Sequence, residues 1–369
     1  MKVLVSVFNN LYTDQRVEKI CRTLHENGFE IELIGNNWGG APEMQRPYKF
    51  SRISLNSKIL RFAYIEFNRK LYKELLKRAD QNTILLSNDL DTVLPNYFAS
   101  KKLGIPMVFD SHEIFTEMPS VNGRWVQKIW RLAEKFTIPK QRYMMTASES
   151  YADWFVKKYR IEKPVVIQNF PKKMVQHLDY QENKQRKIIL YQGVINPSRG
   201  LDKVIPAMAK IENAELWIAG DGPQKENYQK LTEKLSLQNK IKFLGKLLPE
   251  DLRKITVNAD VGLSIEENNG ESYYYSLPNK VSDYIQARVP VVVSNFPEMK
   301  KIVEKYRVGE IIQNHSEDQL VTVLQKVLNQ GKNFYRESLE KASNELNWEN
   351  EEPKIIALFE KVKQEIFRG

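Results

Sequence analysis

The chain predicts an α/β protein made of two doubly wound parallel-sheet domains, and three observations lead there. Short apolar runs bounded by turn residues alternate with amphipathic stretches along the chain, as expected of parallel sheets covered on both faces. These runs divide six and six about a polar segment, Phe170 to Lys187, that has a cluster of charges and no sustained period. The length of 369 residues also exceeds what one hydrophobic core usually organises.

In the first half the expected strands are KVLVSVF (2–8), EIELIG (30–35), TILLSN (83–88), PMVFDSH (106–112), YMMTAS (143–148) and PVVIQN (164–169). In the second they are KIILYQG (187–193), AELWIAG (214–220), KIKFLG (240–245), ADVGLSI (259–265), VPVVVSN (289–295) and GEIIQ (309–313). Amphipathic helices such as Asp14–Asn27 and Gln224–Leu235 lie between most of them. The chain closes on WENEEPKIIALFEKVKQEIF, whose Ile355, Ile356, Leu358, Phe359, Val362 and Phe367 form an apolar stripe that needs a surface.

Composition narrows the function classes. A single cysteine, Cys21, excludes an intramolecular disulfide and fits a reducing, cytoplasmic setting. No run approaches the roughly twenty apolar residues of a membrane span, so any membrane contact is expected to be peripheral. Residues 1–173 hold 28 Lys and Arg against 18 Asp and Glu, whereas residues 174–369 hold 28 of each. The whole excess of +10 therefore lies in the first half, where an anionic lipid surface or a phosphate-linked acceptor should be met. The basic balance also suggests a nucleic-acid binder, but the neutral second half and the lack of a recognisable binding motif argue for no nucleic acid. His25, His177 and His315 stand in no cluster with cysteine or carboxylates, so no metal site is expected.

Ligands of open α/β sheets sit beyond the carboxyl ends of the strands, so the loops there are the place to look for chemistry. Two such sheets facing each other would make a cleft. After KIILYQG, Gly193 permits a close turn and Arg199 can reach an anion. Asp221-Gly222-Pro223 and Gly245-Lys246 are further strand-to-helix turns, each also readable as ordinary turn chemistry. The segment SYYYSLPNKVSDY, Ser272 to Tyr284, places Pro278 in the first turn of a helix running to about Arg288. Val281, Tyr284 and Ile285 should share one face, and Asn279, Ser282, Asp283 and Gln286 the other. Free amides at that helix start, helped by Lys280, could bind a diphosphate, and Asp283 could accept from ribose hydroxyls. The alternative is a solvated polar face.

In the first half, His112 and Glu113 end a strand; a neutral imidazole there could orient an acceptor hydroxyl, or simply bond backbone. Asp89-Leu90-Asp91 has the form of a metal-binding pair, but between a strand and a helix it reads better as capping. Asn9-Asn10 and Asp14-Gln15-Arg16 either touch donor or acceptor or cap the first helix. In GRWVQKIWRLAEKF, Trp125, Ile129, Leu132, Ala133 and Phe136 share a face beside a stripe of Arg124, Lys128, Arg131 and Lys135. That suits an interfacial helix on anionic lipid, or a helix with one face in the core.

The chain resembles the GT-B-fold retaining glycosyltransferases of family 4, also described as glycosyl transferases group 1. The resemblance runs through TDQRVEKICRTLHENGFEIELIG, NDLDTVLPNYFASKKLGIPMVFDSHEIFTE, YQGVINPSRGLDKVI, IAGDGP, FLGKL and SLPNKVSDYIQARVPVVVSNFPEM, in order. It implies two Rossmann-like domains: 1–173 binding the acceptor, with helix 350–369 packing back on it, and 174–349 binding a nucleotide-sugar donor. It also implies metal-independent transfer of a sugar, with retention, to a glycan or lipid-linked acceptor of surface polysaccharide, lipopolysaccharide or glycolipid. No cofactor is expected beyond the nucleoside-diphosphate sugar as substrate, a UDP-sugar being favoured over a GDP-sugar. A nucleotide-sugar epimerase is a second reading on the same architecture.

The donor-binding residues then expected are Asn10, Arg199, Gly222, Gly245, Lys246, Tyr275, Ser276, Leu277, Pro278, Asn279, Lys280 and Asp283. His112 and Glu113 are the catalytic candidates, with Arg16 and Glu271 as further contacts. Two departures stand out. Where relatives place a basic pair after the first strand of the donor domain, this chain has Val194 and Arg199. Where they carry a sugar-side glutamate it has Tyr275, the last of three tyrosines, so Glu271 becomes the nearest upstream carboxylate.

Overall fold

The computed structural model of the protein describes residues 1–174 and 186–368. His177 and most of the polar segment between the halves lie outside the described residues. The element order is β1 Lys2–Ser6, α1 Gln15–Glu26, β2 Glu30–Asn36, β3 Lys49–Ile53, α2 Leu60–Arg78, β4 Thr83–Asn88, α3 Leu90–Leu103, β5 Met107–Ser111, α4 Trp125–Thr137, β6 Tyr143–Thr146, α5 Glu149–Tyr159 and β7 Val165–Val166. It continues with β8 Lys187–Gln192, α6 Leu201–Ala207, β9 Ala214–Ala219, α7 Lys225–Lys234, β10 Ile241–Gly245, α8 Pro249–Asn258, β11 Val261–Ser264, α9 Glu271–Tyr274 and α10 Asn279–Gln286. Then come β12 Val291–Ser294, α11 Pro297–Tyr306, β13 Gly309–Ile312, α12 Glu317–Phe334, α13 Arg336–Glu345 and α14 Glu352–Arg368. The chain separates into two compact units, Met1–Asn169 with Glu351–Gly369, and Phe170–Asn350.

The first unit holds a seven-stranded sheet in the order β3-β2-β1-β4-β5-β6-β7, every pair parallel. Its central strand β4 is buried along its whole length, which is why TILLSN reads as a continuous apolar run and not an alternating one. Each of Ile84, Leu85 and Leu86, fully buried, stabilises the fold by roughly 1.5–3 kcal/mol. The sheet has one strand more than the six expected. β3 (KFSRI) pairs only with β2 at the sheet edge and leaves most of its side chains partly exposed, so it carries no apolar signature. Helix α1 begins where Asp14 accepts from Val17 N and buries Val17, Ile20, Cys21 and Leu24. The stripe of α14 meets α1: Ile355, Phe359 and Val362 are fully buried, the Phe29 and Phe359 rings lie 6.0 Å apart, and Thr23 Oγ1 donates to Glu352.

The second unit holds a six-stranded parallel sheet in the order β10-β9-β8-β11-β12-β13. β8, β11 and β12 are its buried centre. In each sheet the strand order reverses once, at β1/β4 in the first unit and at β8/β11 in the second. Those switch points open a crevice beyond the strand carboxyl ends, where ligands of such sheets bind.

Candidate functional site

In the second unit the β8/β11 switch point is occupied by a charged cluster. Two residues past β11, Glu266 is 2% exposed, and its Oε1 stands 2.9 Å from Lys280 Nζ and 3.5 Å from Arg199 Nη1. Ser264 Oγ donates to the other carboxylate oxygen at 2.8 Å. Burial pushes the Glu266 pKa up, but Lys280 and Arg199 outweigh it and hold the carboxyl below its usual range. Burial likewise pulls Lys280 down, with Glu266 opposing. Two cations thus share one carboxylate, which leaves a net positive charge among buried groups. Arg199 Nε is buried without a hydrogen-bond partner, and Lys280 Nζ, beyond its ion pair with Glu266, has N–H groups that no other acceptor meets. Buried donors of that kind are costly unless an acceptor completes them.

Aromatic rings brace both cations. Lys280 Nζ lies 4.1 Å from the Tyr191 ring centre, and Tyr191 OH donates to Val194 O at 2.8 Å. Arg199 Cζ lies 4.8 Å from the Tyr273 ring centre, while Arg199 Nη2 donates to Tyr273 OH at 3.3 Å. The loop carrying Arg199 closes tightly on β11. A Cβ at Gly200, which has φ +74°, would stand 2.3 Å from Ile265 O, so only glycine fits. Gly222 is needed for a similar reason, since a Cβ there would meet Ile195 O at 2.6 Å.

Helix α10 starts at Asn279 with Pro278 as its N-cap and no side-chain cap bond, one residue later than the sequence suggests. Its apolar face packs as expected, with Val281, Tyr284 and Ile285 buried. The opposite face is only partly polar surface. Ser282 and Gln286 are buried, and Gln286 Nε2 donates to Ser343 O and Leu346 O, so both are structural. Asn279 is exposed; Asp283, half-buried, accepts from Gln192 Nε2 at 3.2 Å. The three tyrosines divide their roles. Tyr273 underlies Arg199, Tyr274 packs against Phe296 at 5.3 Å, and the half-buried Tyr275 meets Tyr274 edge-on at 5.1 Å. Ser276 Oγ donates to Tyr273 O, closing the turn, and Leu277 packs on the core. Gly245, the last residue of β10, itself takes a positive φ of 70°, and Lys246 beside it is exposed.

Lys280, expected to assist the amides at the helix start, is a buried cation paired with Glu266. The carboxylate facing the cations is Glu266, whereas Glu271 is exposed at the start of α9. Sequence reasoning missed Glu266 and Tyr191; the one available signal was an acid directly after the apolar run of β11 at a switch point.

In the first unit a second cluster sits beyond β4 and β5. Asp110, fully buried at the end of β5, takes a bidentate guanidinium from Arg16, Nη2 to Oδ1 at 2.7 Å and Nε to Oδ2 at 2.9 Å. His112 Nε2 is 3.1 Å from Asp110 Oδ2 and 3.2 Å from Asn88 Oδ1, and its Nδ1 is 3.3 Å from Asp89 Oδ2. Burial lowers the His112 pKa, but Asp89 and Asp110 outweigh it and raise it to about 9. The neighbouring carboxylates thus favour the imidazolium over the neutral ring expected, and both ring nitrogens face oxygen acceptors.

Asp89 holds this arrangement at a cost. Its φ of 57° and ψ of 170° lie in a region that is essentially glycine's, a strain of roughly 1–3 kcal/mol. It occupies the N-cap position of α3 without a side-chain cap bond; its Oδ1 instead accepts from His112 N at 2.9 Å. The capping role expected for Asp89 is thus replaced by anchoring of His112. Asp91, in the first turn of α3, is also buried, and burial pushes its carboxyl well up. Arg16, 4% exposed, gives its guanidinium to Asp110 and to Ile167 O, which ties α1 to the cluster. Glu113 is half-buried, and its carbonyl accepts from Ser111 Oγ. Past β1, Asn10 Oδ1 accepts from Tyr12 N, while Asp14 serves as the cap of α1. Among the described residues no group of three or more His, Cys, Asp or Glu is arranged to hold a metal ion.

The family described as glycosyl transferases group 1 matches residues 174–345, and glycosyltransferase family 4 matches residues 14–170. The chain belongs to this glycosyltransferase family. Among curated proteins, this glycosyltransferase-family chain is similar to the chitobiosyldiphosphodolichol beta-mannosyltransferase of Candida albicans, 23% identical over 54% of this chain and 48% of the relative. It is also similar to the lipopolysaccharide core biosynthesis glycosyltransferase LpsD of Rhizobium meliloti, 32% identical over 22% of this chain and 24% of the relative. The chain thus spans about half the length of the first and about a quarter of the second. Two solved structures share the fold. Sucrose-phosphate synthase of Thermosynechococcus elongatus has a TM-score of 0.81 at 14% identity, covering 98% of this chain and 99% of that one. HepE of Anabaena, solved in complex with UDP, has a TM-score of 0.76 at 12% identity, covering 98% and 100%. The two parallel-sheet units are those of the GT-B glycosyltransferase fold. A family of transferases gives no support to the epimerase reading.

Proposed function

We propose that this protein transfers a sugar from a nucleoside-diphosphate donor, a UDP-sugar before a GDP-sugar, to a glycan or lipid-linked acceptor. The observation that carries this reading is the sharing of one buried carboxylate, Glu266, by two cations, Arg199 and Lys280, with donors left over. A diphosphate offers the missing oxygens and charge, and each such charge-assisted bond is worth about 1.5–3 kcal/mol. Asp283, one turn into α10, is the ribose candidate. That relatives carry out sugar transfer and that HepE was solved with UDP and UDP-glucose supports the donor class. Acceptors in surface polysaccharide, lipopolysaccharide or glycolipid fit the relatives' names and the basic first unit.

In the reaction, the bond from the anomeric carbon to the phosphate oxygen breaks as the acceptor oxygen attacks. Charge develops on the leaving diphosphate, where Arg199 and Lys280 are pre-placed and need no metal ion. Retention follows if the acceptor proton passes to the leaving phosphate oxygen on the same face, with no protein nucleophile. On this reading His112 supplies fixed positive charge and accepts no proton. Thermal-shift titration with UDP-, GDP-, ADP- and TDP-sugars, followed by transfer assays in EDTA, tests the proposal. A UDP-sugar should raise the midpoint most, and transfer should survive chelation. No shift with any of the four at millimolar concentration would sink it.

A further inference from the structure

The first unit carries an exposed apolar surface. On α4, Trp125, Ile129, Leu132 and Phe136 are 64%, 54%, 70% and 40% exposed. Spaced at i, i+4, i+7 and i+11, they form one stripe along the helix. The core face of α4 is instead Gln127, Ala133, Glu134 and Thr137, so Ala133 leaves the stripe expected for it and the reading of that stripe as core fails. Neighbouring helices extend the surface: Ile59, Leu60, Phe62 and Ile65 at the start of α2, and Phe98 on α3, are all about half exposed. The helices are in contact, with the Tyr64 and Trp130 rings 5.4 Å apart and the Phe98 and Phe136 rings 6.1 Å apart.

Charge identifies the occupant. The exposed charges beside the stripe are Arg124 at the cap of α4 and Lys128, Arg131 and Lys135 within it, Arg131 being paired with Glu117 at 3.0 Å, joined by Lys58 and Arg61 at α2. The one acid within α4, Glu134, is buried and bound to Lys158 and Tyr159. At the Phe136 end, Lys140 Nζ lies 3.5 Å from that ring's centre and lines a cavity of about 650 Å³ with Lys101, Arg142 and Glu365, the last two ion-paired at 2.6 Å. A broad apolar stripe flanked mainly by exposed Lys and Arg, with the nearby acids Glu66, Glu117 and Glu365 each paired to a base, suits acyl chains under anionic headgroups. No helix among the described residues is long and apolar enough to cross a membrane.

We propose that the α2–α3–α4 face of the first unit docks on anionic phospholipid, with the α4 stripe entering the interface and its basic flank on the headgroup phosphates. The test is sedimentation with vesicles of phosphatidylcholine alone and of phosphatidylcholine mixed with phosphatidylglycerol. The wild-type protein should partition at least tenfold more onto the anionic vesicles, and less as salt rises. Ile129→Ser with Leu132→Ser, and separately Lys128→Glu with Lys135→Glu, should each cut that partitioning at least tenfold. These side chains are exposed, so circular dichroism and melting should match wild type, and exposed Leu248→Ser in the second unit should change nothing. Equal binding to neutral vesicles, no binding to either, or unaltered binding of both double variants would overturn the proposal. So would a dimer in sedimentation equilibrium that the Ile129/Leu132 variant dissolves, since the face would then belong to a second copy. Vesicle binding is read without sugar transfer, so failure here leaves the donor reading standing.

Discussion

Glu266 and Lys280 form a buried ion pair at 2.9 Å, and Arg199 reaches the same carboxylate oxygen from the other loop. Removing the carboxylate charge leaves two cations to repel each other in a desolvated site. Glu266→Gln should therefore cost about 3–5 kcal/mol and lower the melting temperature clearly. Inorganic diphosphate at millimolar concentration should restore more of the midpoint in the variant than it adds to wild type. Calorimetric melts with and without diphosphate read both effects; equal shifts in the two proteins would contradict the shared-charge account.

Tyr273 is expected to set the Arg199 geometry twice, by its ring and by its hydroxyl. Tyr273→Phe loses only the long hydrogen bond and should raise donor KM about threefold; Tyr273→Ala loses both contacts and should raise it at least tenfold. Steady-state kinetics against donor concentration checks the order. An alanine variant indistinguishable from wild type would assign the tyrosine to loop packing.

His112 predicts a pH dependence. Its folded pKa, about 9, exceeds the unfolded value near 6.5, so protonation favours the folded state. That contribution, on the order of 3 kcal/mol, is fully present below about pH 6.5 and is lost as pH rises through about 9. Urea unfolding of wild type should weaken across that window, while His112→Gln should be flatter there.

Asp89→Gly separates strain from chemistry. Glycine relieves the backbone at φ 57° but removes the anion beside His112 and the acceptor of its amide. Relief of roughly 1–3 kcal/mol against loss of a charged hydrogen bond of similar size leaves stability nearly unchanged. Transfer activity should fall, and the His112 pKa, followed by NMR, should drop. A variant clearly more stable and fully active would mean the strain serves no function.

Much of the fold was readable because buried parallel strands are apolar throughout: all twelve expected runs contain a strand, ten of them shortened, while β4 matches its run and β2 continues one residue further. β3 escaped because an edge strand with Lys49 and Arg52 on it needs no apolar pattern. The candidate site was legible where backbone chemistry marks it, as at Gly222, Pro278 and the acids after β4 and β5. It was illegible where partners meet only in three dimensions. Arg16 is 94 residues from Asp110, and Arg199 is 67 residues from Glu266, so neither pairing leaves a local trace. Helix periodicity placed the α4 stripe on one face, but periodicity cannot tell a face turned to the core from one turned outward.

The most direct test of the central claim is isothermal titration of UDP into wild type and Arg199→Gln. Arg199 is partly exposed, so its replacement should leave the fold intact. Two pre-placed cations predict measurable UDP binding that weakens with salt, and at least a tenfold loss of affinity in the variant. Equal affinity in the two proteins, or no heat from either at millimolar UDP, would contradict the account.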